Sequence, residues 1–351
     1  MGYSFPAEWS QQRGVWLSWP RPEGISFPGR YHTIGPALAA IVREIALREE
    51  VHINVPNENW EHIVLRDLAL FGGPDERSMR RVFFHHVKTN ECWCRDHGPA
   101  FVTRTHRGKK HLAVVDWGFN AWGGKYPPYG DDDDVPTRVA EELGLPLFKP
   151  GIVMEGGAVE FNGKGTVLTT EQCLLNTNRN PGLSRARIER YLKEYYGQSH
   201  VCWLGDGIEG DDTDGHIDDL ARFLDPRTIV VGVEDDPRDA NSKVLKENLR
   251  RARLLKDQDG RAFDVVTVPM PGVVEIDSQR LPATYLNFLF INGAVLVPTF
   301  GHTNDRIALE ILQKHVGGRG GVGRRVIGID CRDLIWGLGA IHCLTQQMPR
   351  V

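Results

Sequence analysis

Short apolar runs rich in Val, Ile, Phe and Thr alternate along the chain with longer stretches in which apolar residues return every three or four positions. The first pattern is that of buried or half-buried strands, the second that of helices with one apolar face. Strands are predicted over 51–55, 82–87, 100–104, 111–117, 158–161, 166–170, 200–204, 228–233, 264–268, 288–292, 294–299 and 325–330. Helices are predicted over 34–49, 59–71, 135–143, 184–196, 241–256 and 305–315. The helix over 184–196 is the best marked: Ser184 caps its first turn, Ile188, Tyr191, Leu192 and Tyr195 share a face, and Gly197 stops it. Two strands, a helix and a further strand recur at irregular spacing without a sequence repeat. That rhythm suits several small α/β modules better than one doubly wound sheet.

Composition adds limits. With 351 residues, 41% apolar and 25% charged, the chain reads as a soluble globular protein, taken as one domain over 1–351. A net charge of −4 gives no basic footprint for nucleic acid and mildly suits a small cationic ligand. No stretch approaches the ~18 apolar residues of a membrane span. Residues 1–6 lack the charged-then-apolar pattern of a secretory signal. Six cysteines are too few for a disulfide framework in a chain this long. The expectation is a reducing, cytoplasmic enzyme with no nucleic-acid or membrane partner. A homo-oligomer is compatible with the sequence, which carries no signal for its order.

Several chemistries are disfavoured. Cys92-Trp93-Cys94 lies near His85-His86, but structural zinc sites place two or more residues between paired cysteines and use a second pair. No Gly-x-Gly-x-x-Gly or Gly-Lys-Ser/Thr loop follows a strand, which argues against nucleotide binding. The acidic run 131–134 reads as a solvated loop or helix start, where carboxylates suit the dipole.

Four segments combine polar residues with glycine turns. Glu91-Cys92-Trp93-Cys94-Arg95-Asp96-His97-Gly98-Pro99 ends sharply, placing Asp96 at a strand-to-turn junction, as a cap, a partner of Arg95, or a functional carboxylate. Glu155 precedes paired glycines, which allow another group to come close, and suits a structural or a direct role equally. His216 and Asp218 lie in an acidic stretch; on a strand their side chains would share a face, offering a proton carrier beside an anion. A calcium loop through Asp211, Asp212 and Asp214 lacks the alternation and closing glutamate. Finally, Cys343 follows Gly337-Leu338-Gly339, a bend expected to expose the sulfur and aim N–H groups at it, favouring the thiolate. Acyl transfer would call for donors around an oxyanion. Here the surplus is acidic, and carboxylates pair with a planar cation, so attack of sulfur on a guanidinium carbon is the favoured chemistry.

The motifs resemble those of the agmatine deiminases, in the guanidino-group-modifying superfamily. The resemblance rests on Cys92-Trp93-Cys94-Arg95-Asp96-His97-Gly98-Pro99, Trp117-Gly118-Phe119-Asn120-Ala121-Trp122-Gly123-Gly124 and Glu155-Gly156-Gly157. It continues through Leu168-Thr169-Thr170-Glu171-Gln172-Cys173-Leu174-Leu175-Asn176, Asp212-Thr213-Asp214-Gly215-His216-Ile217-Asp218 and Ile341-His342-Cys343-Leu344-Thr345-Gln346-Gln347, with Pro6-Ala7-Glu8-Trp9 as the opening. The matches keep their order over nearly the whole chain. The resemblance implies a fivefold pseudo-symmetric α/β propeller (pentein-like) with a central site and no metal or organic cofactor. It implies Cys343 as nucleophile, His216 as general acid and base, Asp96 and Asp218 as guanidinium-binding carboxylates, and Glu155 as a carboxylate positioning His216 or the guanidinium. Trp93 and Trp122 offer faces for a cation, although both also read as packing. The implied reaction is hydrolysis of agmatine to N-carbamoylputrescine and ammonia through an amidino-cysteine. The alternatives are a peptidyl-arginine or free-arginine deiminase, an amidino transferase, and a polyamine-binding protein with a dead site. Leu338 and Ala340 stand where Gly and Asn are usual, His97 where Thr is common and Glu91 where Asp is. These departures bear on substrate choice more than on reaction type.

Overall fold

In the computed structural model, which describes residues 2–317 and 323–351, the strands form five sheets built on one plan, plus a two-stranded ribbon. Each sheet has a leading strand, an antiparallel neighbour and, after a crossover helix, a third strand parallel to the second. The leading strands are Ala100–His106, Glu160–Phe161, Ala221–Asp225, Leu289–Ile291 and Thr345–Pro349. Their antiparallel neighbours are Lys109–Val115, Thr166–Thr170, Thr228–Val233, Ala294–Thr299 and Gln12–Ser18. Thr345–Pro349 is last in the chain yet pairs with Gln12–Ser18, Thr345 opposite Leu17 and Gln347 opposite Val15. The five ββαβ modules thus close on themselves, in the α/β propeller expected from the motif resemblance. No helix among the described residues is long and apolar enough to cross a membrane.

The crossover helices follow their sequence signals closely. Arg185–Tyr196 starts where Ser184 Oγ accepts the N–H of Arg187 at 3.4 Å and ends at Gly197, whose φ of 67° is the left-handed conformation glycine adopts freely. Its buried face is Ile188, Leu192 and Tyr196; Tyr191 and Tyr195 are half-buried and stack on each other. Three such side chains contribute about 1.5–3 kcal/mol each by leaving water. The expected strand over 158–161 is shorter, because Gly156–Ala158 forms a one-turn 3₁₀ helix ahead of Glu160–Phe161.

Three leading or central strands had no signal in the apolar pattern: Gln12–Ser18, Ala221–Asp225 and Thr345–Pro349. All five residues of Thr345–Pro349 are buried, Gln346 and Gln347 included, so its polarity is that of a partnered interior rather than of a loop. The acidic run forms the expected helical turn, Gly130–Asp133, with Asp131 and Asp133 exposed, but one of its carboxylates is not solvated. Asp132 is buried and accepts the N–H groups of Asn90 (2.7 Å) and Glu91 (3.2 Å), and burial pushes its carboxyl up to about 8.

The modules meet around buried charges. Arg222, fully buried, bonds Glu8 Oε2 at 2.8 Å and Glu160 Oε2 at 3.1 Å, and donates to the carbonyls of Phe288 (2.6 Å) and Leu286 (3.0 Å). Arg95 donates to Gln347 Oε1 at 2.7 Å and lies 3.7 Å from Glu8 Oε2. These residues come from all five modules and the N-terminal segment. Removing one partner of such a pair costs about 3–5 kcal/mol, because a buried charge is left alone.

Candidate active site

The segments just before the leading strands converge at the centre. Cys94–His97 is a single helical turn ended by Gly98-Pro99, and it holds Asp96. Asp96 Oδ1 accepts the N–H of Gly157 at 2.9 Å, and Oδ2 accepts Trp122 Nε1–H at 2.9 Å. Trp122 reaches it because Ala121 and Trp122 take left-handed φ values of 50° and 55°, while Asn120 Oδ1 accepts the N–H of Gly123 at 2.8 Å. His216 and Asp218 do not lie on a strand but flank the start of a 3₁₀ turn, Ile217–Asp219. Strand alternation therefore does not apply: His216 Nδ1 comes within 3.7 Å of Asp96 Oδ1, whereas Asp218 turns toward Cys343.

Cys343 Sγ lies 3.0 Å from Asn287 Nδ2 and 3.8 Å from Asp218 Oδ2. The expected N–H support for the sulfur is not what the bend provides. The N–H groups of His342 and Cys343 donate instead to Asn287 Oδ1, at 3.0 and 3.2 Å, and the residue is buried. Gly339 permits the approach of Trp93, since a Cβ there would come within 2.5 Å of the indole.

Glu155 lies behind His216 and is held by Arg179, whose Nε donates to Oε1 at 2.7 Å. Its Oε2, both ring nitrogens of His216 and Asp218 Oδ1 are buried without a hydrogen bond. Cys173 is the third member of this group, its sulfur within 4.8 Å of donor atoms of Glu155 and His216.

Burial and the carboxylates set the protonation. Burial, reinforced by Asp218, Asp219 and Asp96, pushes the Cys343 thiol well above its ordinary value. Burial alone would lower His216, but Asp96, Cys173 and Asp218 outweigh it and hold the imidazole protonated. These influences favour a proton on both the sulfur and the imidazole of the empty site, a point the sequence left open. A pocket of ≈ 180 Å³ opens on Cys343 and Asp96, with Trp93, Trp122, Asp212 and Leu338 in its wall.

Residues 4–349 match the model of the Porphyromonas-type peptidyl-arginine deiminases. The chain belongs to that family. Within it, the chain is 36% identical to an agmatine deiminase of Pseudomonas syringae pv. tomato, with 99% of this chain and 96% of that one covered. It is 34% identical to one of Pseudomonas fluorescens at the same coverage. Among solved structures, an agmatine deiminase of Enterococcus faecalis superposes with a TM-score of 0.89 at 30% identity, covering 99% of this chain and 96% of that one. A cysteine-to-serine variant of the C. jejuni agmatine deiminase with substrate bound gives 0.86 at 31% identity and the same coverage. An amidinotransferase from Microseira wollei, 13% identical at a TM-score of 0.51, shares the fold alone.

Of the residues singled out in this family member, Cys343, Asp96, Trp93 and Trp122 line the pocket, Asp218 touches the sulfur, and His216 touches Asp96. Glu155 stands one layer back, against Arg179. Sequence reasoning missed Asn287, His342, Arg179 and Glu8 as site residues. Asn287 did leave a signal: it is a lone polar residue inside the apolar run 285–291.

Proposed function

We propose that this chain is an iminohydrolase that converts agmatine to N-carbamoylputrescine and ammonia. One observation carries the reading: the Cys343 sulfur opens on a pocket beside two carboxylates, and Asp218 keeps a buried oxygen without any partner. Such an oxygen is costly to bury unless a donor arrives, and a guanidinium brings several. Among the described residues in the pocket wall there is no Lys or Arg to pair with an α-carboxylate, while Asp212 adds a third acid. A substrate cationic at both ends fits this wall better than an amino acid does.

The steps follow from the protonation. The guanidinium settles between Asp96 and Asp218 and offsets the negative charge that held the thiol neutral, so the thiol gives its proton to water in the open pocket. The thiolate attacks the guanidinium carbon and gives a neutral tetrahedral adduct. His216 protonates one amino group, which departs as ammonia and leaves an amidino-cysteine. Neutral His216 then takes a proton from water as the oxygen adds. Collapse expels the sulfur, which takes up the proton the hydroxyl loses, and releases the neutral ureido product. Trp93 and Trp122 flank the cation, and Glu155 steadies His216. Six free, buried cysteines suit a reducing cytoplasmic setting for this chemistry.

The test is incubation of the pure protein with agmatine, free arginine and a peptidyl-arginine, scoring ureido product and ammonia without an added amine acceptor. Agmatine should dominate. Comparable turnover of the peptide would favour the activity in the family's name; product formed only once an amine acceptor is added, without ammonia, would indicate amidino transfer; no product in either case would mean a binding protein.

A further inference from the structure

His342 precedes the nucleophile and takes no part in the steps above, yet its ring occupies a demanding position. It is buried, with Nδ1 2.7 Å from Asp218 Oδ2 and Nε2 2.7 Å from Glu8 Oε2. An ionised carboxylate only accepts hydrogen bonds. A neutral imidazole has one N–H and one lone pair, so it would set that lone pair against an anionic oxygen at hydrogen-bond distance. Only the imidazolium satisfies both contacts, and both are then of the strong, charge-assisted kind.

The two acids are themselves ionised. Burial would raise Glu8, but Arg222, His342 and Arg95 outweigh it and hold it well below the usual range. Burial would likewise raise Asp218, and His342 is the main influence that lowers it. The other charged or titratable groups facing this cluster are Arg95, which donates to the His342 carbonyl at 3.3 Å, Glu160 across Arg222, and His216, Asp219 and Cys343 around Asp218. Donor atoms of Glu8, Glu160 and His342 fall within 4.8 Å of one another, a spacing that could suggest a metal. Arg222 already bridges the two glutamates at 2.8 and 3.1 Å, so the cation between them is the protein's own.

We propose that His342 is a positioning residue whose two ring nitrogens tie Asp218 Oδ2, through Glu8, to the axial ion network, leaving Oδ1 as the single acceptor presented to the substrate cation. The proposal rests on the guanidine-hydrolase reading and adds a residue to it. Oδ2 is engaged by His342 and, more weakly, by Asn287 Nδ2 at 3.4 Å, while Oδ1 has no partner. Rotation of the carboxylate would break the bond to His342, so the open oxygen is held in one place. The same imidazolium keeps Asp218 ionised beside a thiol that must lose its proton, which an unpaired buried acid would not remain.

The experiment compares wild type with His342→Gln and Glu8→Gln on agmatine across pH 5 to 9. Glutamine at 342 is neutral and offers a donor to only one of the two acids. KM should rise by about 10–100-fold, the loss typical when a group that orients a ligand is removed, with a smaller change in kcat. The acid limb of kcat/KM should move to higher pH, because Asp218 is then governed by burial. A purely structural role would not move that limb. Glu8→Gln keeps the contact to Asp218 and should give the same changes in weaker form. Neutron diffraction from the substrate-free wild type at pH 8 reads the protons directly and needs no variant to fold; density on both ring nitrogens is expected. A neutral ring there, or a folded His342→Gln with wild-type KM and an unmoved acid limb, would overturn the proposal. Wild-type turnover tests the functional reading separately, so a loss confined to the variants speaks to His342 alone.

Discussion

Gly157→Ala isolates the cost of misplacing His216. Gly157 is not among the positive-φ glycines, so alanine carries no conformational penalty there and the effect is steric. Its methyl would come 2.5 Å from His216 Nδ1 and 2.8 Å from Asp96 Oδ1. Carbon to heavy-atom contacts settle near 3.5 Å, so the imidazole or the loop must shift by about 1 Å. Both neighbours are held in the buried interior, and neither is the free end of a flexible chain. A misplacement of about 1 Å costs roughly 10²-fold in rate, equivalent to about 2.7 kcal/mol of transition-state stabilisation. The assay is steady-state formation of ureido product, with far-UV circular dichroism to confirm the fold. A folded Gly157→Ala retaining wild-type kcat would refute the claim that His216 is held in working position by this contact.

Three further outcomes are expected. Trp122→Phe keeps the ring but removes the donor to Asp96 Oδ2; leaving that buried oxygen unpaired costs about 1–3 kcal/mol, or a 5- to 150-fold drop in kcat/KM, and an unchanged value would reduce Trp122 to packing. Alkylation of Cys343 in the free protein by iodoacetamide should still accelerate at pH 9, because burial and the acids keep the thiol protonated beyond the ordinary range; a plateau near pH 7 would show a thiolate in the empty site. Burial raises Glu49 from 4.5 to about 7, so between those values the unfolded chain ionises while the folded one holds its proton, and stability falls as pH rises through that window. Glu49→Gln should therefore raise stability by about 3 kcal/mol at pH 8 and by almost nothing at pH 4, read as the difference in Tm; equal Tm values at pH 8 would count against it.

The helices and the outer strands were legible because they pack on one side, which leaves a period in the residues. Gln12–Ser18, Ala221–Asp225 and Thr345–Pro349 were not, because tertiary charges override the apolar pattern. Arg222 and Gln347 look like surface residues until Glu8, Glu160 and Arg95 are seen beside them. Cys343, His216, Asp96 and Asp218 were legible through short motifs with glycine turns. Asn287 and His342 act only through partners distant in sequence, Cys343 and Asp218 for the first and Glu8 and Asp218 for the second. The state of the thiol stayed open in the sequence for the same reason: the glycine bend is local, but the acids that favour a proton on sulfur come from other modules.

The pairing of Thr345–Pro349 with Gln12–Ser18 sets an order of events during synthesis. A chain emerging from the ribosome can build four modules, with both acids and the imidazole, before the sulfur has left the tunnel. The first sheet meanwhile waits with an open edge, a hazard for pairing with other chains. The strand that covers this edge directly follows Cys343, so covering the edge and bringing the sulfur to the central pocket are a single event.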